Sequence, residues 1–519
     1  MNKLFLSLFV ILISSTQLFA QEPPKDWMLK SPIDGIYGMD VDGAYKFLTG
    51  KKSTTVIVAV IDSGVEVDHP DLKDNIWINS KEIPNNGIDD DGNGYIDDIN
   101  GWDFIGGKGG DVFHDTYEIT RLFKIYSDKF SNVNPSSLTG VDKSQYEEYQ
   151  KIKPKFEADK KEADQEYAFY NQIYSSITKL LEEMGTKEPT ATDLERYRTE
   201  DKQLATAKLI LQSILSKGNK ISDIIDELEE GVKYYESKSK YGLNPEYNSR
   251  TIVGDNYEDA NEHYYGNNEV EGPDAMHGTH VSGIIGAVRN NNIGIDGICA
   301  DVKIMVIRAV PDGDERDKDV ANAILYAVNN GAKVINMSFG KQYVYNKKVV
   351  DEAIKYAMSK DVLLVHGAGN DALNCDVISV YPNDQLLDKT IVNNFLNIGA
   401  NDVSGNTASF SNYGKKNVDV FAPGVQIYST VTDYKYKYLD GTSMASPAAC
   451  GVAALIRSYY PSLTASQIKD IMIKSVYKPK MKVSYPGNEK KKTTYKKLCV
   501  SGGLVNALNA VKLADAMSK

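Results

Sequence analysis

Between Thr54 and Gly64 the chain reads Thr-Thr-Val-Ile-Val-Ala-Val-Ile-Asp-Ser-Gly, an apolar run without polar alternation that ends in a carboxylate and a glycine. Such a run predicts a strand buried on both faces, the pattern of a parallel sheet covered by helices. Short Val- and Ile-rich runs, Gly-marked turns and helical stretches alternate in this way over about 53–110 and again from about 252 onward. This is the grammar of an α/β protein. The stretch between is different: rich in Lys, Glu and Tyr, poor in Gly, with Tyr170, Ile173, Tyr174, Ile177, Leu181 and Met184 at helical spacing, and Ile221, Ile224, Ile225, Leu228, Val232 and Tyr235 after them. It predicts an inserted helical subdomain. Gly185 and Pro189 punctuate it, and Thr192 with Glu195 forms a capping box for a helix carrying Leu204, Leu211 and Leu215.

Composition narrows the class. With 42% hydrophobic residues, 25% charged residues and a net charge of −12, the chain is an ordinary soluble globular protein and not a general nucleic-acid binder. Its 519 residues leave room for a large catalytic domain and an inserted unit. Lys3, the apolar run from Leu4 to Ile13 and Ala20 predict an export signal over 1–20, with a mature chain from Gln21 that is periplasmic or secreted. That run is shorter than the ~20 residues a membrane span needs, and no later stretch reaches that length. No Cys follows the expected cleavage point, so no lipid anchor is expected. The four cysteines, Cys299, Cys375, Cys450 and Cys499, are too sparse for a disulfide scaffold. Their pairing is open, and Cys450, in an apolar helical run, reads as a packing residue.

Asp62 closes the first apolar run and so stands at the carboxyl end of a parallel strand, where open α/β sheets place their ligands. Taken alone, it better suits a carboxylate that caps the next turn. His277-Gly-Thr-His280-Val-Ser-Gly opens an apolar helical run and puts His277 at a helix start, where a carboxylate on one ring nitrogen lets the other move a proton near neutral pH. A metal pair of His277 with His280 is disfavoured, because the zinc-protease helix has its histidines four apart with a Glu between. His280 reads as structural. Gly441-Thr-Ser443-Met-Ala-Ser-Pro447 precedes another helical run; Pro447 suits a first helical turn and places Ser443 at or just before the helix start. Backbone N–H groups and the helix dipole there favour developing negative charge. A serine hydroxyl needs a base to act as a nucleophile, and His277 oriented by Asp62 supplies one. The loop Asp89-Asp-Asp91-Gly-Asn93-Gly94-Tyr-Ile-Asp97 has the oxygen spacing of an EF-hand loop, with Gly94 at the sharp turn and Asn100 in place of the twelfth-position Glu. It predicts a structural calcium site at Asp89, Asp91, Asn93 and Asp97.

These motifs resemble those of the subtilisin-like serine proteases: Val-Ile-Asp62-Ser-Gly with His69-Pro-Asp-Leu72, then the His277 and Ser443 segments, in the chain order Asp, His, Ser. Similar stretches cover most of about 40–110 and 250–519. The resemblance implies a subtilisin-like parallel sheet with helices on both faces, carrying an inserted α-helical subdomain. It divides the chain into a signal peptide (1–20), a short N-terminal segment (21–50), a catalytic domain in two parts (51–115 and 251–519) and the insertion (116–250). It also implies an exported endopeptidase acting on polypeptides, with Asn370 giving a side-chain donor to the oxyanion. Ser338, Phe339 and Gly340 then belong to a substrate-binding edge strand, and Gly367, Ala368 and Gly369 to the facing wall. Asp71 and Asn291, with the carbonyls of Ile293 and Ile295, match a second calcium site. Many subtilases carry a pro-domain after the signal, and the short segment before Gly50 leaves little room for one. Gly502-Gly-Leu-Val-Asn-Ala matches the family's closing helix, and the Lys-rich patch at 490–497 reads as a solvated loop. The rival from another class is a non-catalytic binding protein that holds a partner with the insertion; a metalloprotease is a third reading. Oligomeric state is open.

Overall fold

The computed structural model describes residues 22–519; the expected export signal at 1–20 lies outside them. The first apolar run forms β1 (Val56–Asp62) in the middle of a seven-stranded sheet. The other strands are β2 (Gly101–Asp103), β3 (Val302–Arg308), β4 (Val334–Met337), β5 (Leu363–Gly367), β6 (Phe395–Asn401) and β7 (Val420–Pro423), in the order β2-β3-β1-β4-β5-β6-β7. Every neighbouring pair is parallel. Asp62 is level with Arg308, and Met337 with both Ile61 and His366, so the carboxyl ends of four strands share one edge.

Residues along β1 alternate between two cores. Val58 and Val60 join the cluster under helices α7 (Met276–Gly286) and α10 (Thr442–Tyr459), whereas Ala59 and Ile61 join the cluster under α8 (Asp317–Asn329) and α9 (Lys347–Ser359). Helices α1 (Val41–Leu48), α11 (Ala465–Lys474) and α12 (Ala507–Met517) complete the first layer. The sheet is therefore apolar on both faces, as the unalternating run requires. Two expectations shift here. β4 is an interior strand, so the backbone free to pair with a peptide is the stretch 338–340 beyond its last paired residue, Met337. Gly502–Asn506 precedes the closing helix, and the Asn506 side chain caps it by accepting from Asn509 N at 2.8 Å.

The insertion is helical, as its spacing predicts: α2 (Glu118–Phe130), α3 (Gly140–Met184), α4 (Ala191–Arg196), α5 (Lys202–Ser216) and α6 (Ile221–Ser237). The 45 residues of α3 make a rod of about 67 Å at 1.5 Å per residue. It carries two separate cores. The proximal one joins Ile119, Leu122 and Phe130 of α2 to Tyr149, Ile152 and Phe156, and the distal one joins Ile177, Leu180 and Leu181 to Leu204, Leu211 and Leu228. The capping box is Thr190 with Asp193, not Thr192 with Glu195: Thr190 follows Pro189 in an extended conformation, which starts the short α4 two residues earlier. Asp201 then caps α5, the helix that carries Leu204 and Leu211. The first half of the Lys-rich patch lies in a strand, Asn488–Thr493, paired with Val483–Tyr485, and its second half holds a 3-10 turn, Tyr495–Lys497.

Candidate active site

β1 delivers Asp62 to the sheet edge, 1% exposed, and the first turn of α7 brings His277 over it. His277 Nδ1 and Asp62 Oδ1 are 2.6 Å apart, and the same oxygen accepts from Ser63 N at 2.8 Å. Close approach of the two elements depends on Gly278, where a Cβ would stand 2.1 Å from the Gly64 carbonyl. Burial pulls the His277 pKa down, but the charge of Asp62 and its hydrogen bond outweigh burial and raise it above the ordinary value. The next histidine behaves differently. His280 is fully buried, its Nε2 lies 3.0 Å from the Ile427 carbonyl, and burial pushes its pKa down to about 3. It is a neutral structural group, as the sequence implies.

Ser443 is the second residue of α10, so the helix starts slightly earlier than Pro447 suggests and Pro447 lies inside it. The Ser443 backbone N–H belongs to the first turn and has no helical acceptor. Its hydroxyl donates to the Ser338 carbonyl at 3.1 Å and not to His277. Asn370 follows the Gly367–Gly369 turn; its Oδ1 accepts from Thr442 N at 2.9 Å and from Thr442 Oγ1 at 3.0 Å. A backbone N–H can meet only the amide oxygen, so Thr442 fixes the amide and leaves Nδ2 uncommitted on the cleft.

A cleft of about 540 Å³ collects Ser338, Phe339, Gly340, Gly367, Gly369, Asn370, Thr442 and Ser443. Ala368 is not on its lining; it is buried, with its carbonyl taken by Asn412 Nδ2 at 2.8 Å. The same cleft is lined by Val310 and Gly313–Glu315 and, from the insertion, by Tyr117, Ile119, Lys155, Asp159, Tyr234 and Lys238. None of these was singled out from sequence, because none belongs to a local motif.

The foot of the insertion is fixed to this cleft by buried charge. Lys341, directly after Gly340 and 2% exposed, pairs with Glu118 at 2.6 Å and Asp317 at 2.9 Å. Glu118 also holds Arg121 at 2.9 Å, and Arg121 donates to the carbonyls of Asp314 and Glu315 at 3.1 and 3.2 Å. Arg316 grips Asp115 at 2.7 Å, and at the other end Arg250 pairs with Asp255 at 2.6 Å and Asp319 at 2.7 Å. Burial works against the Glu118 carboxylate, yet Arg121 and Lys341 outweigh it and hold its pKa down to about 2.

In the acidic loop, carboxylates of Glu82, Asp89 and Asp91 come within 4.8 Å of one another, the one such cluster among the described residues. Those hard oxygens fit a calcium ion. Asp97 is not in the cluster; its carboxylate turns instead to Asn86 N at 3.1 Å and Gly87 N at 2.9 Å. Asn93 is turned toward Tyr95 N and Asp98. Glu82 takes their place from outside the regular spacing. Asp71 and Asn291 do meet, but as a carboxylate accepting from Asn291 Nδ2 at 2.6 Å, Ile295 N at 3.0 Å and Tyr436 OH at 3.3 Å. The two residues expected at the second ion site therefore stand side by side, with hydrogen-bond donors on the Asp71 carboxylate as on the carboxylates of Glu82 and Asp89.

A family model described as "Subtilase family" matches residues 53–502. The chain is 40% identical over 183 residues to the thermophilic serine proteinase of Bacillus sp. (strain AK1), covering 35% of this chain and 42% of that protein. It is 38% identical over 183 residues to thermitase of Thermoactinomyces vulgaris, covering 35% and 61%, and 36% identical over 196 residues to subtilisin DY of Bacillus licheniformis, covering 37% and 68%. The matched stretch thus spans about half the length of such relatives. A solved structure of the prenylagaramide maturation protease PagA aligns over 46% of this chain and 82% of its own, at 27% identity and a TM-score of 0.38.

Proposed function

Because the chain belongs to the subtilase family, we propose that it is an exported serine endopeptidase. Ser443 is the nucleophile, His277 the base and then the acid, Asp62 the group that holds the imidazole, and Asn370 with the Ser443 N–H the oxyanion donors. The observation that carries this reading is the 2.6 Å contact of His277 with a buried Asp62 at the sheet edge where α10 presents Ser443. The Ser443 hydroxyl turns from the Ser338 carbonyl to His277 Nε2, gives up its proton there and attacks the scissile carbonyl. Asn370 Nδ2 and the Ser443 N–H receive the oxyanion. His277 then protonates the leaving amine, and water repeats the sequence on the acyl-enzyme. A fluorophosphonate probe tests this: the protein labels, and Ser443→Ala does not. A folded protein that never labels supports the binding-protein reading instead.

The catalytic body is then 51–115 with 251–519, and residues 116–250 are the insertion. With Tyr117, Lys155, Tyr234 and Lys238 on the cleft lining, the insertion restricts entry to extended chains. Replacing residues 131–236 with a short Gly/Ser linker, which keeps the buried charges of the foot, is expected to spare turnover of a small peptide and raise turnover of a folded protein. Equal effects on both leave the insertion only a stabilising role. The acidic loop holds a structural calcium ion through Glu82, Asp89 and Asp91. An ion bound only by the folded state raises the melting temperature with calcium concentration. An unchanged calcium dependence in Asp89→Ala with Asp91→Ala removes the assignment.

A further inference from the structure

Pro447 interrupts α10 at a cost that the structure meets from another element. A proline has no N–H, so the carbonyl four residues earlier loses its helical partner. That carbonyl belongs to Ser443. The Ser338 hydroxyl, on the stretch after β4, donates to it at 2.9 Å. Ser338 Oγ in turn accepts from Asn336 Nδ2 at 3.0 Å, and Asn336 Oδ1 accepts from Ser446 Oγ at 2.8 Å. Asn336 and Ser446 are 0% exposed and Ser338 is 6% exposed. The chain therefore runs from the second turn of α10, through the sheet, and back to the backbone of the residue that carries the nucleophile. Each member donates onward, so Asn336 fixes the direction in which the Ser338 hydroxyl points.

Resting on the reading of Ser443 as nucleophile, we propose that Ser338 and Asn336 are positioning residues. The Ser338 hydroxyl replaces the N–H that Pro447 lacks and clamps the Ser443 backbone, so that its N–H and its Oγ stand in the right place relative to the oxyanion and the base. The gap in the helix leaves that role to Ser338: with an N–H at 447, the Ser443 carbonyl would have a helical donor, and the Ser338 hydroxyl would only share it. The Ser338 backbone carbonyl is a separate group on the same residue and is unaffected by removing the hydroxyl.

The test is a double-mutant cycle of Ser338→Ala with Pro447→Ala. Three quantities are read: kcat and KM on a short peptide ester, the rate of fluorophosphonate labelling, and Tm. Ser338→Ala is expected to lower kcat and the labelling rate together by about tenfold, the value of one net hydrogen bond spent on position, with KM changed little. Pro447→Ala restores a helical N–H donor to the Ser443 carbonyl, so adding it to Ser338→Ala is expected to recover most of the loss. Asn336→Ala, which leaves the Ser338 hydroxyl undirected, is expected to lower kcat in the same sense. Losses in kcat and labelling that are identical with and without Pro447→Ala overturn the proposal, as does a Ser338→Ala variant with unchanged kcat and labelling. If the wild type itself does not label, the catalytic reading has failed, and the clamp is then judged by Tm alone: non-additive effects of the two substitutions support it and additive ones reject it.

Discussion

The sheet-built body and the helical insertion are held together by different forces. In the body, Val58, Ala59, Val60 and Ile61 are all 0% exposed, packed against helices on opposite faces, and Asp62 is the next residue along the strand. Dense apolar packing therefore sets the position of the Asp62 carboxylate. In α3 only seven of 45 residues are buried, and the contacts between insertion and body include the buried charges of Glu118, Arg121 and Arg250. Positions that need sub-ångström precision lie where packing is tightest. The insertion is joined to them largely by ion pairs, with Tyr343 of the body packed against its proximal core.

The largest effect should come from breaking the body's arrangement at its centre. Asp62→Asn is expected to reduce kcat/KM by roughly 10⁴-fold, as loss of the orienting carboxylate does in Ser-His-Asp enzymes generally. It should also move the acid limb of the pH profile. The active imidazole is neutral, so activity falls as pH drops through the His277 pKa, which Asp62 raises. Removing that charge shifts the residual limb to lower pH. A limb that stays in place means Asp62 does not govern His277.

The foot of the insertion comes next. Glu118→Ala leaves Arg121 and Lys341 buried without their shared carboxylate, and removing one partner of a buried pair costs about 3–5 kcal/mol. A lowered Tm should accompany it. The pH dependence follows from the direction of the shift: Glu118 is held down to about 2 in the fold, against roughly 4.3 when unfolded. Its contribution is complete above the unfolded value and is lost as pH falls toward the folded one, so wild-type Tm should fall more steeply than that of Glu118→Gln between those limits. Parallel curves would place the strength of the junction elsewhere.

At the tip, Leu211→Ala opens a cavity in the distal core, where Leu211 is 0% exposed. Such truncations cost about 2–5 kcal/mol. Because that core is separate from the proximal one, the loss should appear as local unfolding in hydrogen exchange over α5 and α6, with turnover of a short peptide unchanged. Loss of peptide turnover would mean that the tip supports the cleft directly.

The same contrast governs what was legible in the sequence. The buried run of β1, the three motifs around Asp62, His277 and Ser443 and the helical spacing of the insertion each lie within one short segment, and their chemistry is local. The junction was illegible because Glu118, Arg121 and Lys341 look like solvated charges until chain segments about 200 residues apart meet, as between Glu118 and Lys341. That Glu82 joins the carboxylates of Asp89 and Asp91 was hidden because it stands outside the periodic loop, and spacing does not tell which way the Asp97 carboxylate turns. Pro447 was legible as a helix residue but not as a vacancy that Ser338 fills.

The smallest effect isolates burial as the variable. Lys341 with Glu118 and Lys153 with Glu157 are the same pair of residue types at two depths: 2% and 0% exposed in the first, 48% and 58% in the second. The exposed pair lies on α3 at a spacing of four residues, 3.9 Å apart, where water screens the attraction and both side chains lose freedom to hold it. Lys153→Ala is therefore expected to change stability by no more than about 0.5 kcal/mol, part of it offset by the better helix propensity of alanine. Raising salt should make wild type and variant still more alike. A fall in Tm comparable to that of Glu118→Ala would mean that the insertion depends on its surface charge as much as on its foot, and the distinction drawn between the two regions would fail.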